Sequence, residues 1–229
     1  MAGAQARSKP YFFVMAVIAW LALILQIALV LKTLETTGQF VLSSLINTFS
    51  YFTILTNLLV AIVSTAAALR GPNDPKDSSD DVFLTRPSTL SATAAYILIV
   101  GVTYSLLLRS FWDPTGLQAV ANSALHDVTP VLYLLCWFFF VPKGTLHWSQ
   151  PFRWLLYPVL YVIYCLLRGM ATGIYPYHFV DATILGYPRA LINTAAVLFS
   201  FWLVGLLLVA LDRAAARAIA RRTPNLTHT

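Results

Sequence analysis

Six long stretches of almost uninterrupted apolar residues dominate this chain and decide the solvent in which it can fold. They cover residues 11–31, 41–69, 90–108, 122–141, 154–167 and 190–211. A helix needs about 20 apolar residues to cross the ~30 Å hydrocarbon core of a bilayer. Only 10% of the residues are charged, whereas soluble domains carry about 25%. The sequence therefore predicts a membrane protein.

The pattern inside these runs favours helices. Apolar residues are continuous and lack the two-residue alternation that is typical of membrane β-barrels. In lipid, a helix satisfies the backbone N–H and C=O groups within its own segment. No small-residue cleavage pattern follows the first run, so we expect a retained helix there and no signal peptide. We predict an all-α, polytopic membrane protein: a six-transmembrane-helix bundle that forms a single membrane domain over residues 1–229.

Two of the runs differ from a simple span. The second covers 29 residues, which as a helix would measure about 43 Å at 1.5 Å per residue. Its first part, residues 41–50, is half polar, so we expect that part to lie near the membrane interface or to tilt. The purely apolar part begins near Tyr51. The fifth run is short, and Pro158 predicts a kink within it.

The distribution of Lys and Arg predicts the orientation. If the spans alternate in direction, eleven of the 15 Lys and Arg residues lie on the side that holds both termini, and four lie on the other side. Cytoplasmic loops carry the excess of positive charge. We therefore predict a location in the cell membrane, with the termini, the loop 70–89 and the tail 213–229 in the cytoplasm. This bias accounts for most of the net charge of +6, and we expect no nucleic-acid partner.

His126 and Asp127 are the only acidic or basic side chains inside the six runs. An Asp at the centre of a membrane helix is unfavourable by roughly 2.5–3.5 kcal/mol, so such residues usually line a cavity, a path or a catalytic site. Asp127 is rotated about 100° from His126 around the helix, and we expect it to pair with Arg109 or Arg168. Pro130 cannot donate a hydrogen bond to the His126 carbonyl, which predicts a local bend.

The topology places a hydroxyl near this histidine. The second and fourth spans run in the same direction. Thr53, near the start of the apolar part of one, and His126, about one turn into the other, should therefore lie at a similar depth below the outer surface. A His within hydrogen-bond reach can activate a Thr hydroxyl as a nucleophile. Thr56 is the alternative nucleophile.

Several groups could support such a site. Asn57 and Asn122 lie four residues from Thr53 and His126 and so share their faces, and either amide could orient the imidazole or stabilise an oxyanion. The aromatic segment 173–181 could form a rim or lid over a crevice. We expect no cofactor and no metal, because the spans contain no Lys for a Schiff base, a single His and no metal-ligand spacing.

Three segments of the chain resemble those of one known family. They are Tyr51-Phe52-Thr53, residues 122–130 (Asn-Ser-Ala-Leu-His-Asp-Val-Thr-Pro) and residues 168–176 (Arg-Gly-Met-Ala-Thr-Gly-Ile-Tyr-Pro). With the six-span layout they are similar to the androgen-induced and androgen-dependent family of membrane threonine hydrolases, and more closely to its bacterial relatives. The eukaryotic members have Phe-Ile-Asp after the Thr, where this chain has Ile-Leu-Thr-Asn, and they lack an acid at the position of Asp127.

The resemblance implies an intramembrane hydrolase that cleaves fatty acid esters of hydroxy fatty acids. Carried over by position, the nucleophile is Thr53 and its partner is His126. The expected function is therefore hydrolysis of a lipid-like ester that reaches the site from the membrane lipid. A non-enzymatic protein that binds or transports lipid or a small molecule, with His126 and Asp127 sensing protons, is the alternative. A third is an assembly partner whose polar groups only join helices.

Overall fold

The computed structural model describes residues 2–37, 40–73 and 82–222. Within these ranges six helices are long and apolar enough to cross a membrane, and no β-strand occurs. We call them spans 1 to 6: Arg7–Leu34, Phe52–Arg70, Pro87–Phe111, Gly116–Phe140, Gln150–Thr172 and Tyr187–Arg221. The predicted all-α, multi-pass architecture is confirmed. Residues 74–81 of the predicted loop and 223–229 of the predicted tail lie outside the described residues.

The spans alternate in direction and so define two sides of the bundle. Lys9 donates a hydrogen bond to the Leu69 carbonyl over 2.9 Å, and the rings of Tyr11 and Phe140 stack 4.3 Å apart. These contacts join the start of span 1 to the ends of spans 2 and 4. We call this the terminal side, because span 1 begins and span 6 ends there. The opposite side, where spans 2, 4 and 6 begin, is the site side.

The long second run divides into two helices. A short helix, Val41–Phe49, precedes span 2, and the chain turns at Ser50 and Tyr51. The Tyr161 hydroxyl donates to the Ser50 carbonyl over 2.8 Å and accepts from the Phe52 N–H over 3.2 Å. One side chain from span 5 thus satisfies the backbone groups that the break exposes. The half-polar residues form a separate helix, and span 2 begins one residue after Tyr51.

Span 5 is longer than predicted, because it includes polar residues at both ends. The helix is interrupted at Leu155, three residues before Pro158. Pro158 has no N–H to offer the Trp154 carbonyl. The Tyr96 hydroxyl of span 3 donates to that carbonyl instead, over 2.6 Å. The interruption therefore joins spans 3 and 5.

Span 4 differs most from the prediction. It begins at Gly116, so His126 lies ten residues into the helix and not one turn from its start. Residues Ala124–Val128 form a π-helical segment, in which the N–H of Thr129 donates to the Ala124 carbonyl. Such one-turn π segments are often found at functional sites. The bend expected near Pro130 thus takes the form of a wider turn that contains His126.

Candidate functional site

Thr53 and His126 meet across spans 2 and 4. The Thr53 Oγ1 atom lies 3.3 Å from Nε2 of His126. Thr53 is the second residue of span 2, and its side chain is 9% exposed. The separation lies at the long end of hydrogen-bond distances, as is common for catalytic pairs without a bound substrate. The two residues that topology placed at similar depth are direct neighbours.

The second ring nitrogen of His126 sets the orientation of the imidazole. Its Nδ1 lies 2.9 Å from the Asn122 carbonyl oxygen, one helical turn earlier. A carbonyl oxygen can only accept, so Nδ1 carries the proton in the neutral ring and Nε2 presents its lone pair to Thr53. This assignment follows from the hydrogen-bond partners. It is the tautomer that a general base facing Thr53 requires.

Tyr104 of span 3 packs against the face of the His126 imidazole. The two rings stack with centroids 4.0 Å apart and an interplanar angle of 23°. The Asn122 side chain donates to the Tyr104 hydroxyl over 2.5 Å, and the Arg109 guanidinium lies 5.0 Å from the Tyr104 ring centre. Tyr104 begins a second π-helical segment, Tyr104–Leu108. The sequence offered no signal for this residue, because a Tyr in an apolar run resembles any other core aromatic.

The two asparagines do not act through their amides as we expected. Asn122 orients His126 with its backbone carbonyl, while its amide binds Tyr104. Asn57 is fully buried and donates to the carbonyls of Thr53, at 2.9 Å, and Leu125, at 3.2 Å. Both donations are to backbone oxygens, so the Asn57 amide ties span 2 to span 4 and is not directed at a reacting group.

Thr56 is directed away from the imidazole. Its hydroxyl lies 3.3 Å from the Tyr157 hydroxyl of span 5, and its side chain is fully buried. Thr53 and Thr56 are about 60° apart around the helix axis, which is enough to turn them toward different spans. Of the two candidate nucleophiles, Thr53 is the one beside His126.

Asp127 forms an ion pair with Arg109 at the end of span 3. The alternative partner, Arg168, instead donates to the side chain of Asn47 and to the carbonyl of Ile174, each over 3.2 Å. Arg168 therefore connects the helix Val41–Phe49 to the segment 173–181. Neither Asp127 nor Arg168 forms a hydrogen bond with the Thr53 hydroxyl among the described residues.

The segment 173–181 folds over the site side. The Asn193 side chain of span 6 donates to the Phe179 carbonyl over 2.9 Å and anchors it. The ring of Tyr177 packs edge-on against Tyr51, with centroids 5.7 Å apart. Burial raises the pKa of the Tyr177 hydroxyl to about 12, and the nearby Thr53 hydroxyl and the backbone of Thr53 and Phe52 oppose that rise. The Tyr177 hydroxyl is thus a neighbour of the Thr53 hydroxyl.

A cavity of about 60 Å³ adjoins Thr53. Its walls come from spans 3, 5 and 6, with Phe52 and Thr53 of span 2 on one side and the segment 173–181 at the rim. None of the described residues that line the cavity is charged. His126 is not among them, but its Nε2 atom lies 3.3 Å from the hydroxyl oxygen of Thr53, which is. The arrangement suits an apolar, uncharged ligand next to the Thr53 hydroxyl, which is itself in contact with the basic nitrogen of His126.

No model of a known protein family, no characterised protein and no solved structure matches this chain. The resemblance to the membrane threonine hydrolases therefore remains a prediction from the three sequence segments that carry it.

Proposed function

We propose that this protein is a membrane-embedded hydrolase that cleaves a lipid-like ester with Thr53 as nucleophile and His126 as base. The observation that supports this most is the contact of Thr53 Oγ1 with His126 Nε2 at 3.3 Å, next to an apolar cavity. The Asn122 carbonyl holds the other nitrogen in the protonated state. A nucleophile, its base and a group that orients the base are the three parts that such catalysis requires.

The proposed reaction has two stages. In the first, Thr53 Oγ attacks the ester carbonyl carbon while Nε2 of His126 takes the hydroxyl proton. The C–O bond to the alcohol then breaks, and His126 returns the proton to the departing oxygen. In the second stage a water molecule attacks the carbonyl carbon of the acyl-Thr53 ester while His126 takes a proton from it. The bond between that carbon and Thr53 Oγ then breaks, and His126 returns the proton to Oγ. The products are a carboxylic acid and an alcohol.

The negative charge on the carbonyl oxygen in the intermediate needs a hydrogen-bond donor. The amides of Asn57 and Asn122 are engaged with other groups. The Tyr177 hydroxyl, whose pKa is influenced by the neighbouring Thr53, is a suitable donor. We assign it the role of stabilising the oxyanion, with the N–H of Thr53 at the start of span 2 beside it.

Apolar walls suit a substrate that enters from the hydrocarbon phase. The cavity lies among spans 3, 5 and 6, so an ester in the bilayer could reach Thr53 between helices without crossing water. The alternative, a proton-sensing binding or transport protein, has less support. Asp127 is paired with Arg109 and does not line the cavity.

The proposal extends to the orientation of the protein in the cell membrane. The excess of Lys and Arg on the terminal side supports cytoplasmic termini, which would place Thr53 and His126 toward the outer leaflet. Cysteine substitutions at two exposed positions, Ser149 on the terminal side and Asp113 on the site side, would test this in intact cells. We expect a membrane-impermeant maleimide to label the second and not the first, and the reverse pattern would contradict the orientation.

The decisive experiment is covalent trapping of the nucleophile. Purified protein would be incubated with an alkyl fluorophosphonate, and the modified residue located by mass spectrometry. We expect modification of Thr53, loss of it in Thr53→Ala, and a rate at least 100-fold lower in His126→Ala, because general-base catalysis contributes about 10²–10⁴-fold.

Thr56→Val is the matched control. It removes a hydroxyl three residues away that is bonded to Tyr157, so labelling of Thr53 should continue. Turnover of a 4-methylumbelliferyl long-chain ester should follow the same order among the variants. Labelling that persists in Thr53→Ala, or that does not depend on His126, would refute the proposal.

A further inference from the structure

Thr194 of span 6 is a polar residue in the cavity wall that the proposed reaction does not use. Its side chain is 5% exposed, and its hydroxyl has no hydrogen-bond partner among the described residues. Thr194 nevertheless lines the cavity. A buried hydroxyl without a partner is unfavourable, and such a group in a native protein calls for an explanation.

The other helical hydroxyls of this chain show what Thr194 could have done. A Ser or Thr in a membrane helix commonly donates to the carbonyl four residues earlier. Thr48, Thr65, Ser91, Thr93 and Ser200 all do so, at distances of 2.7 to 2.9 Å. Ser64 and Thr129 also lack a partner among the described residues, but neither lines the cavity. Thr194 does not make this bond to Ala190. Its hydroxyl is therefore unpaired, in a residue that forms part of the cavity wall.

The remaining walls define what that molecule can be. Val197 and Phe201, one and two turns further along span 6, line the cavity together with Ile99 and Val100 of span 3. No charged side chain is present among the described lining residues to balance a charge on the ligand. An ion placed there would lose its hydration without compensation.

We propose that Thr194 is a ligand-binding and specificity-determining residue, whose hydroxyl donates a hydrogen bond to a neutral oxygen on a mostly aliphatic ligand. A carbonyl, ester or ether oxygen has the required chemistry. The inference deepens the proposed function, on which it rests, because it assigns the cavity an uncharged, oxygen-bearing chain as its substrate. Saturated hydrocarbon alone would leave the hydroxyl unsatisfied.

The test measures binding separately from hydrolysis. Thr53→Ala protein in lipid nanodiscs would be photolabelled with an alkyl diazirine, and the peptides that line the cavity quantified by mass spectrometry. Two competitors of equal chain length, 2-tetradecanone and tetradecane, differ by one carbonyl oxygen. The two competitors partition into lipid to a similar extent. The ratio of their half-protection concentrations therefore measures the difference in their affinity for the cavity. Adding Thr194→Val to the Thr53→Ala protein should weaken competition by the ketone about 2- to 10-fold, the range for one neutral hydrogen bond, and leave the alkane unchanged.

Two further variants control for packing. Thr194→Ser retains the hydroxyl and should keep the preference for the ketone even if Thr194→Val proves unstable. Ser200→Ala removes an exposed hydroxyl from the same span, one already bonded to the Ala196 carbonyl, and should change neither competitor. An unchanged ketone-to-alkane ratio in Thr194→Val, or its loss in Thr194→Ser, would overturn the assignment. Failure of the hydrolase proposal would appear separately, as absent turnover with the ketone preference intact.

Discussion

Replacing Asn57 with Leu tests whether one buried amide holds spans 2 and 4 in the geometry of the site. The π-helical turn in span 4 leaves the Leu125 carbonyl without a donor from its own helix. The N–H of Thr129 is bonded to Ala124, and the residue five positions after Leu125 is Pro130, which has no N–H. The Asn57 side chain supplies the missing donor over 3.2 Å.

The magnitude follows from the groups that lose a partner. Leu at position 57 has the same number and branching of side-chain heavy atoms but no donor, so the Leu125 carbonyl becomes a buried acceptor without a bond, at a cost of about 1–3 kcal/mol. The Thr53 carbonyl loses a side-chain donor but keeps its place in the helix. The substitution also removes Asn57 Oδ1, which is buried without a partner among the described residues, and this relieves part of the cost. We expect a net destabilisation of about 1–2 kcal/mol.

Thermal unfolding of the purified protein in detergent would measure the effect. For a chain of this size, 1 kcal/mol corresponds to roughly 2–4 °C in Tm, so Asn57→Leu should unfold about 2–8 °C below the parent. Ser64→Ala is the matched control. Ser64 lies in the same span, is fully buried and has no partner among the described residues, so removing its hydroxyl should be neutral or slightly stabilising. If Asn57→Leu is as stable as Ser64→Ala, the role assigned to the Asn57 amide is wrong.

Three further predictions concern other parts of the bundle. Burial lowers the pKa of Lys143 from 10.5 to about 8, and Asp212 opposes that shift. Because the unfolded chain binds the Lys143 proton more tightly than the folded chain, the free energy of unfolding should rise from pH 8 to pH 10.5. Denaturant titrations should show a smaller rise in Lys143→Met. Gly101→Ala would place a Cβ atom 3.1 Å from the His126 carbonyl oxygen of span 4. We expect the substitution to lower stability by about 1–3 kcal/mol and to reduce fluorophosphonate labelling of Thr53. Unchanged stability and unchanged labelling would contradict the close packing of spans 3 and 4. Tyr96→Phe removes the donor to the Trp154 carbonyl and should lower the apparent Tm by an amount similar to Asn57→Leu, whereas an unchanged Tm would show that this carbonyl needs no donor.

The location of the proposed site could be predicted in part because membrane helices constrain depth. Six apolar runs fix which residues share a level, and a single His within them stands out by its energetic cost. Thr53 could be placed near His126 on that basis. The roles of Tyr104 and Thr194 could not be predicted, because an aromatic residue or a Thr in an apolar helix does not indicate which neighbour it contacts.

The errors also have a physical origin. The sequence predicts that the fourth run begins at residue 122, whereas span 4 begins six residues earlier, at Gly116. Gln118, the one polar side chain among residues 116–121, donates to the side chain of Gln26 in span 1 over 2.9 Å. The choice between Arg109 and Arg168 as partner of Asp127 depended on whether the end of span 3 or the end of span 5 lies closer to span 4. A hydropathy pattern does not give the distances between helices.

The sequence by itself determined the solvent, the helical class and the number of spans, because backbone hydrogen bonding in lipid leaves few alternatives to an apolar helix. The tertiary structure alone decided that Asn57 and Tyr96 donate to the carbonyls of Leu125 and Trp154, which lack a donor because Pro130 and Pro158 have no N–H. It also decided which face of span 2 meets the imidazole, and hence that Thr53 and not Thr56 lies beside His126. Those outcomes depend on the rotation of each helix about its own axis, which packing sets and composition does not.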